Sequence, residues 1–152
     1  MNSNKIIFFV FLFEVLTFFY IGFLLLWPVK TIEILNAPSP VLNGEVTAGD
    51  VVHVYVKYCK YVDKPATIER ALVDTIVIYY EPIINRLPKG CGELTLAVKI
   101  PEYALSGIYS IRSSITHQVN PIRKETVIYE TQKFHVTGLV DKLPEVLDAE
   151  AK

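Results

Sequence analysis

From Ile6 to Trp27 the chain is apolar at all but three of 22 positions, Glu14, Thr17 and Gly22. A hydrocarbon core ~30 Å thick is crossed by ~20 helical residues, so this pattern predicts one membrane-spanning helix over residues 6–27. Past Lys30 the pattern changes to an alternation with period two. In the stretch from Val51 to Tyr61, Val52, Val54, Val56 and Tyr58 alternate with His53, Tyr55 and Lys57. Between Glu93 and Ile100 the apolar positions are Leu94, Leu96, Val98 and Ile100. Both stretches predict half-buried strands. Thr31–Leu35, Ile108–Val119 and Glu125–Val136 read as further strands, the last two around a turn at Asn120-Pro121. Thr75–Tyr80 is nearly continuous in β-branched and aromatic residues, which predicts a strand buried on both faces. Short strands separated by Gly/Pro turns point to an all-β sandwich or barrel spanning residues 31–137. No helical period follows the first segment, except in the short polar tail, 138–152.

The first apolar run has two readings. A secretory signal has an apolar region of ~7–15 residues followed by small residues for cleavage. Here the run is longer and closes on Leu24-Leu25-Leu26-Trp27-Pro28-Val29-Lys30 without such a triplet. An uncleaved anchor is therefore expected, with Trp27 as an interfacial aromatic and Pro28 ending the helix. Lys5 and the amino terminus precede the run and Lys30 follows it. That is a slight bias toward a cytoplasmic segment 1–5, with residues 28–30 as a juxtamembrane linker. An even pair of cysteines, Cys59 and Cys91, lies downstream and suits an oxidising compartment. The domain is thus expected outside the cytoplasm, in the periplasm if the cell is bacterial.

Charge narrows the function. Fifteen Lys and Arg stand against sixteen Asp and Glu, with no basic cluster. Nucleic-acid binding therefore lacks its electrostatic footprint along the sequence, and so does polybasic lipid recognition. Phosphate-loop, dinucleotide and nucleophile-elbow motifs are absent, and no cofactor is implied. His53, His117 and His135 fall on three different strands without ligand spacing, so a metal is not expected. Eight tyrosines in the domain exceed what one small core takes up, and surface Tyr gives rigid contact area. Tyr also simply suits strands.

At Leu105-Ser106-Gly107-Ile108-Tyr109-Ser110-Ile111 the chain resembles immunoglobulin domains, where D-x-G-x-Y-x-C enters a late strand and the Tyr forms a corner. Gly107 and Tyr109 match; Leu105 stands for the Asp and Ile111 for the Cys. The domain has no Trp, and the Cys-Trp-Cys signature is missing. The resemblance therefore implies an immunoglobulin-like or fibronectin-like sandwich outside the antibody type. In layout alone, an anchor with one such domain is similar to small membrane proteins of bacteria and their phages.

By parity Cys59 points away from the core, and Cys91 sits in a loop, Lys89-Gly90-Cys91-Gly92, leading into a strand. A Cys59–Cys91 bridge is then a peripheral staple closing the loop over residues 60–90; two free thiols are the alternative. Glu14 is the one acidic residue in the apolar run. It is either a polar contact to another helix, a copy or a partner, or a residue that the apolar majority tolerates. The expected function is a membrane-tethered binding or structural module, not an enzyme. It would engage a protein partner of the envelope or virion, and self-association through the helix is open. The alternative is an envelope-anchored hydrolase or redox enzyme with a spatially assembled site.

Overall fold

A computed structural model describes residues 3–26 and 29–138. It begins with helix α1 (Ser3–Leu26), at 1.5 Å per residue a rod about 36 Å long. The stretch Phe8–Leu26 is long and apolar enough to cross a membrane, and none of it is buried against the protein. Thr17 donates its hydroxyl to Phe13 O at 2.8 Å, so that polar group is satisfied within the helix. Trp27, Pro28 and all of the expected tail 138–152 except Gly138 lie outside the described residues.

Ten strands follow: β1 (Ile32–Ile34), β2 (Glu45–Thr47), β3 (Val51–Lys60), β4 (Ala66–Val73), β5 (Val77–Tyr79), β6 (Ile83–Asn85), β7 (Gly90–Lys99), β8 (Gly107–Asn120), β9 (Arg123–Glu130) and β10 (Phe134–Thr137). They form two sheets. One has the order β1-β3-β7; the other runs β2-β10-β8-β4-β5, with β6 also on β4 and β9 also on β8. Every pairing is antiparallel except β10 with β2. The fold is thus mostly β with one N-terminal apolar helix.

One core lies between the sheets, and the alternation read from the sequence decides who enters it. Val52, Val54, Val56 and Tyr58 enter from β3; Ala66, Ile68 and Leu72 enter from β4; Tyr109, Ile111 and Ile115 enter from β8. Because successive strand residues face opposite sides, Lys60 and His117 are carried inward by the same parity, and both are buried.

Three expectations need correction. Thr75–Tyr80 is not a doubly buried strand: only Val77–Tyr79 pairs, with β4 alone, and Tyr79 is 79% exposed. Its far side has no partner strand among the described residues, so the apolar run sits at an edge. The expected strand Glu125–Val136 divides into β9 and β10, which follow one another along the same side of β8. The break at Thr131–Lys133 lets Thr131 N donate to Ile111 O, while its hydroxyl accepts from Ile111 N at 2.9 Å. Finally, Cys91 is in a strand, β7, and not in a loop. Strands β2, β4 and β6 were not foreseen; in β4 the Glu69-Arg70 pair masks the alternation of Ala66, Ile68 and Leu72.

Candidate functional site

Two regions carry unusual chemistry, and both start from the base of the domain, where the chain leaves α1. The first is the edge strand β7. Its residues pair with β3 in continuous register, and Cys59 stands directly opposite Cys91. The two are joined by a disulfide with Cα atoms 4.0 Å apart. That spacing belongs to a non-hydrogen-bonded pair, whose backbone groups point away from the partner strand. Odd residues of β7 therefore aim N–H and C=O outward, while even residues bond to β3. The loops agree, since Ile100 N donates to Asp50 O at 2.8 Å on the β3 side. Among the described residues no strand takes up the outward groups of Cys91, Glu93, Thr95, Ala97 and Lys99. Beneath this edge, Leu94 and Leu96 face inward but are only partly buried. They help line a cavity of ≈ 20 Å³ between the sheets.

The second region is a polar cluster at the base. Lys60 is 3% exposed and donates from Nζ to Leu87 O at 2.5 Å. His117 is fully buried, standing between Ala66 and Glu125 in the ladder. Among the described residues neither imidazole nitrogen has a hydrogen-bond partner, and neither does Glu125 Oε2. Lys60, His117 and Asn85, with apolar neighbours such as Ile32 and Ile115, line a second cavity of ≈ 20 Å³. Burial, with the Lys60 charge adding to it and Glu125 opposing, pushes the His117 pKa below its ordinary value. The buried imidazole thus borders a small cavity, and its surroundings favour the neutral form. Higher in the core, Tyr80 Oη and Arg70 Nε are likewise buried without partners, and burial pushes the Tyr80 hydroxyl up to about 12.

Around the base, the two-residue turn between β8 and β9 meets the end of α1. Asn120 Nδ2 donates to Leu24 O at 2.8 Å, and Arg123 Nη1 donates to Leu25 O at 3.1 Å. The last carbonyls of a helix have no partner within it, and cations favour that terminus. The turn therefore caps α1. Asn120 also accepts from Ile122 N at 3.1 Å, so one side chain shapes the turn and holds it to the helix. Nearby, Lys64 Nζ donates to Val119 O at 2.6 Å. Lys30 pairs with Glu33 at 2.6 Å, and Tyr61 Oη donates to the same carboxylate at 2.9 Å. The hydrogen bond to Glu33 raises the Lys30 pKa, and Lys30 lowers that of Glu33.

The residues singled out from sequence do not gather in one place. Cys59 and Cys91 come together at the base, tying neighbouring strands of one sheet. Gly107 and Tyr109 lie at the opposite end, where Tyr109 Oη donates to Leu105 O at 3.1 Å. A Cβ at Gly107 would stand 2.7 Å from Asp74 Oδ2 and 3.2 Å from the Tyr109 ring, which is why this corner takes glycine. Glu14 is exposed on the helix, away from all of these. The tyrosines are scattered: Tyr58, Tyr109 and Tyr129 are in the core, and Tyr79 and Tyr103 are exposed. Sequence reasoning passed over Lys60, Asn120, Arg123 and Glu125. For Lys60 a signal existed, since the parity that buries Tyr58 also buries the lysine two residues on.

No protein-family profile matches the chain, and neither does any curated protein sequence. Among solved structures it is similar to the C-terminal domain of wzt, with 10% identity over 73% of this chain and 76% of that one, TM-score 0.49. It is also similar to a CARDB domain from Pyrococcus furiosus, with 12% identity over 73% and 98%, TM-score 0.39. A third likeness is to the alkylpurine DNA glycosylase AlkC of Pseudomonas fluorescens, with 11% identity over 72% and 31%, TM-score 0.40. Likenesses this distant say nothing about chemistry.

Proposed function

We propose that this chain is a membrane-tethered binding module: an immunoglobulin-like sandwich held outside the cytoplasm by α1, capturing an extended segment of a partner protein on β7. One observation carries the reading. Strand β7 is ten residues long and, among the described residues, pairs on one side only, and an unpaired edge is a template for strand addition. An added strand would bond to the outward groups of residues 91–99, and its alternate side chains would cover Leu94 and Leu96. The sandwich assignment draws support from the facing sheets and from the Tyr109–Leu105 corner. The compartment draws support from the disulfide.

Thr95→Pro tests this directly. Proline removes one outward N–H and leaves the hydrogen bonds to β3 in place, and it is tolerated on edge strands. Intact protein carrying a photocrosslinker at Ala97 should attach to a partner in native membranes, and Thr95→Pro should abolish the attachment while the thermal midpoint stays near that of the parent. Equal crosslinking by both would refute strand addition.

A further inference from the structure

The geometry points to a second membrane contact: the β8–β9 turn, Pro121-Ile122, dips into an anionic bilayer surface beside α1. The inference rests on α1 being a membrane anchor, as proposed above, and goes beyond it.

Depth follows from hydrogen bonding. The apolar stretch of α1 runs from Phe8 to Leu26. Asn120 and Arg123 bond to the carbonyls of Leu24 and Leu25, inside its last turn. Whatever depth those carbonyls occupy, the turn occupies too, to within a side chain's length. If nineteen residues fill a hydrocarbon layer ~30 Å thick, Leu24 and Leu25 lie at its boundary, and the turn lies in the headgroup layer. Ile122 is 54% exposed there, an apolar side chain at the height of the last turn of α1. The turn is also held in place, because Asn120 bonds to both Leu24 O and Ile122 N.

Charge fixes the kind of surface. Arg123 and Lys124 follow the turn, and Lys64 is tied to Val119 beside it. Of the acidic groups of the same end, Glu33 holds Lys30 and Tyr61 and Glu125 faces inward beside His117; Asp63 is exposed beside Lys64 and offsets that lysine, so Arg123 and Lys124 give the turn its net positive charge. Long basic side chains whose stems run along apolar surface and whose heads reach phosphate suit the headgroup level of anionic lipid. The surface is local, which is why the balanced overall charge of the chain does not reveal it.

The test uses the full chain reconstituted in vesicles of phosphatidylcholine and phosphatidylglycerol, with brominated phosphatidylcholine as quencher. Trp27 is the only tryptophan of the chain and reports on the anchor. In a Trp27→Phe background, Ile122→Trp places the single indole at the turn. An indole at headgroup level should emit blue-shifted light and be quenched about twofold or more by shallow bromines. Adding Asn120→Ala should reduce the quenching, and so should replacing all phosphatidylglycerol by phosphatidylcholine. Quenching of Trp27 in the parent without quenching at position 122 would overturn the inference and leave the anchor intact. Absence of quenching at both positions would overturn the anchor and the inference with it. Equal quenching with and without phosphatidylglycerol would overturn the anionic surface.

Discussion

Removing the disulfide should destabilise the domain through its unfolded state, and the size of the effect follows from topology. Cys59 and Cys91 are 32 residues apart in sequence. Loop-closure entropy for a ring of that length gives ~3.7 kcal/mol at 25 °C. The native state needs the bond less than the unfolded chain does. The two residues are opposed by the β3–β7 ladder, and Lys60 Nζ to Leu87 O pins the intervening segment close by. Native geometry should therefore survive when the bond is cut.

Two perturbations separate the entropy from the packing. Reduction leaves both sulfurs in place, whereas Cys59→Ala/Cys91→Ala removes them, and Cys59 is 8% exposed. Urea unfolding of the full chain in detergent, followed by far-UV circular dichroism of the β domain, should give a loss of ~3–4 kcal/mol on reduction. The double variant should lose up to ~1 kcal/mol more, for the vacated volume of a small side chain. For a domain near 100 residues that is a fall in Tm of about 15–30 °C. The m-value should rise as well, because the unfolded chain expands. A loss below ~1 kcal/mol on reduction would refute the reasoning, since segment 60–90 would then be held equally well in both states.

Two further outcomes concern single residues. The folded-state pKa of His117 lies below the unfolded value of 6.5, so the unfolded chain binds the extra proton first. The contribution is present above pH 6.5 and lost as pH falls, with a slope of up to ~1.4 kcal/mol per unit until the folded pKa is reached; urea midpoints between pH 7.5 and 5.5 should show that slope in the parent and not in His117→Leu. Glu14→Leu should insert as well as the parent but weaken helix self-association by about 0.6 kcal/mol, the average for polar contacts in membranes; a membrane two-hybrid signal equal to the parent's would make Glu14 a tolerated residue.

Much of the fold was legible because β3 and the 93–99 part of β7 alternate apolar and polar positions, and alternation is a local property. Parity placed Cys59 on the outer face and Val52, Val54, Val56 and Tyr58 inside. Where local pattern and tertiary position diverge, the reading failed. Val77–Tyr79 is apolar enough for a central strand, yet among the described residues only β4 pairs with it, and nothing in its own residues says so. Register is equally non-local: that Cys91 opposes Cys59 depends on how ten residues of β7 align with β3. The contacts of Asn120 and Arg123 with α1 span 96 and 98 positions of sequence, and no short motif encodes them. His117 and Glu125 were visible as residues, but their inward direction became visible only once β8 and β9 were in register.

The base of the domain links these features into one mechanical argument. Ile32, Lys60 and Gly90 form a single cross-strand row, so β1, β3 and β7 all have one end at the level where the chain leaves α1. From that row β7 runs away from the base for ten residues, a reach of about 34 Å at strand spacing. On the binding reading, a partner strand adding to β7 lies along that line, with its near end close to the membrane surface. A partner carried by the same membrane reaches the edge at no cost in translational freedom beyond that of two-dimensional encounter, whereas a diffusing one bears the full entropy of association. For this to favour capture, the domain must hold its orientation. A lone linker between α1 and β1 fixes one point, which permits the edge to swing. The Asn120 and Arg123 contacts, paired across one turn and reaching consecutive carbonyls of α1, add a second attachment beside the linker, and two attachments restrict that swing.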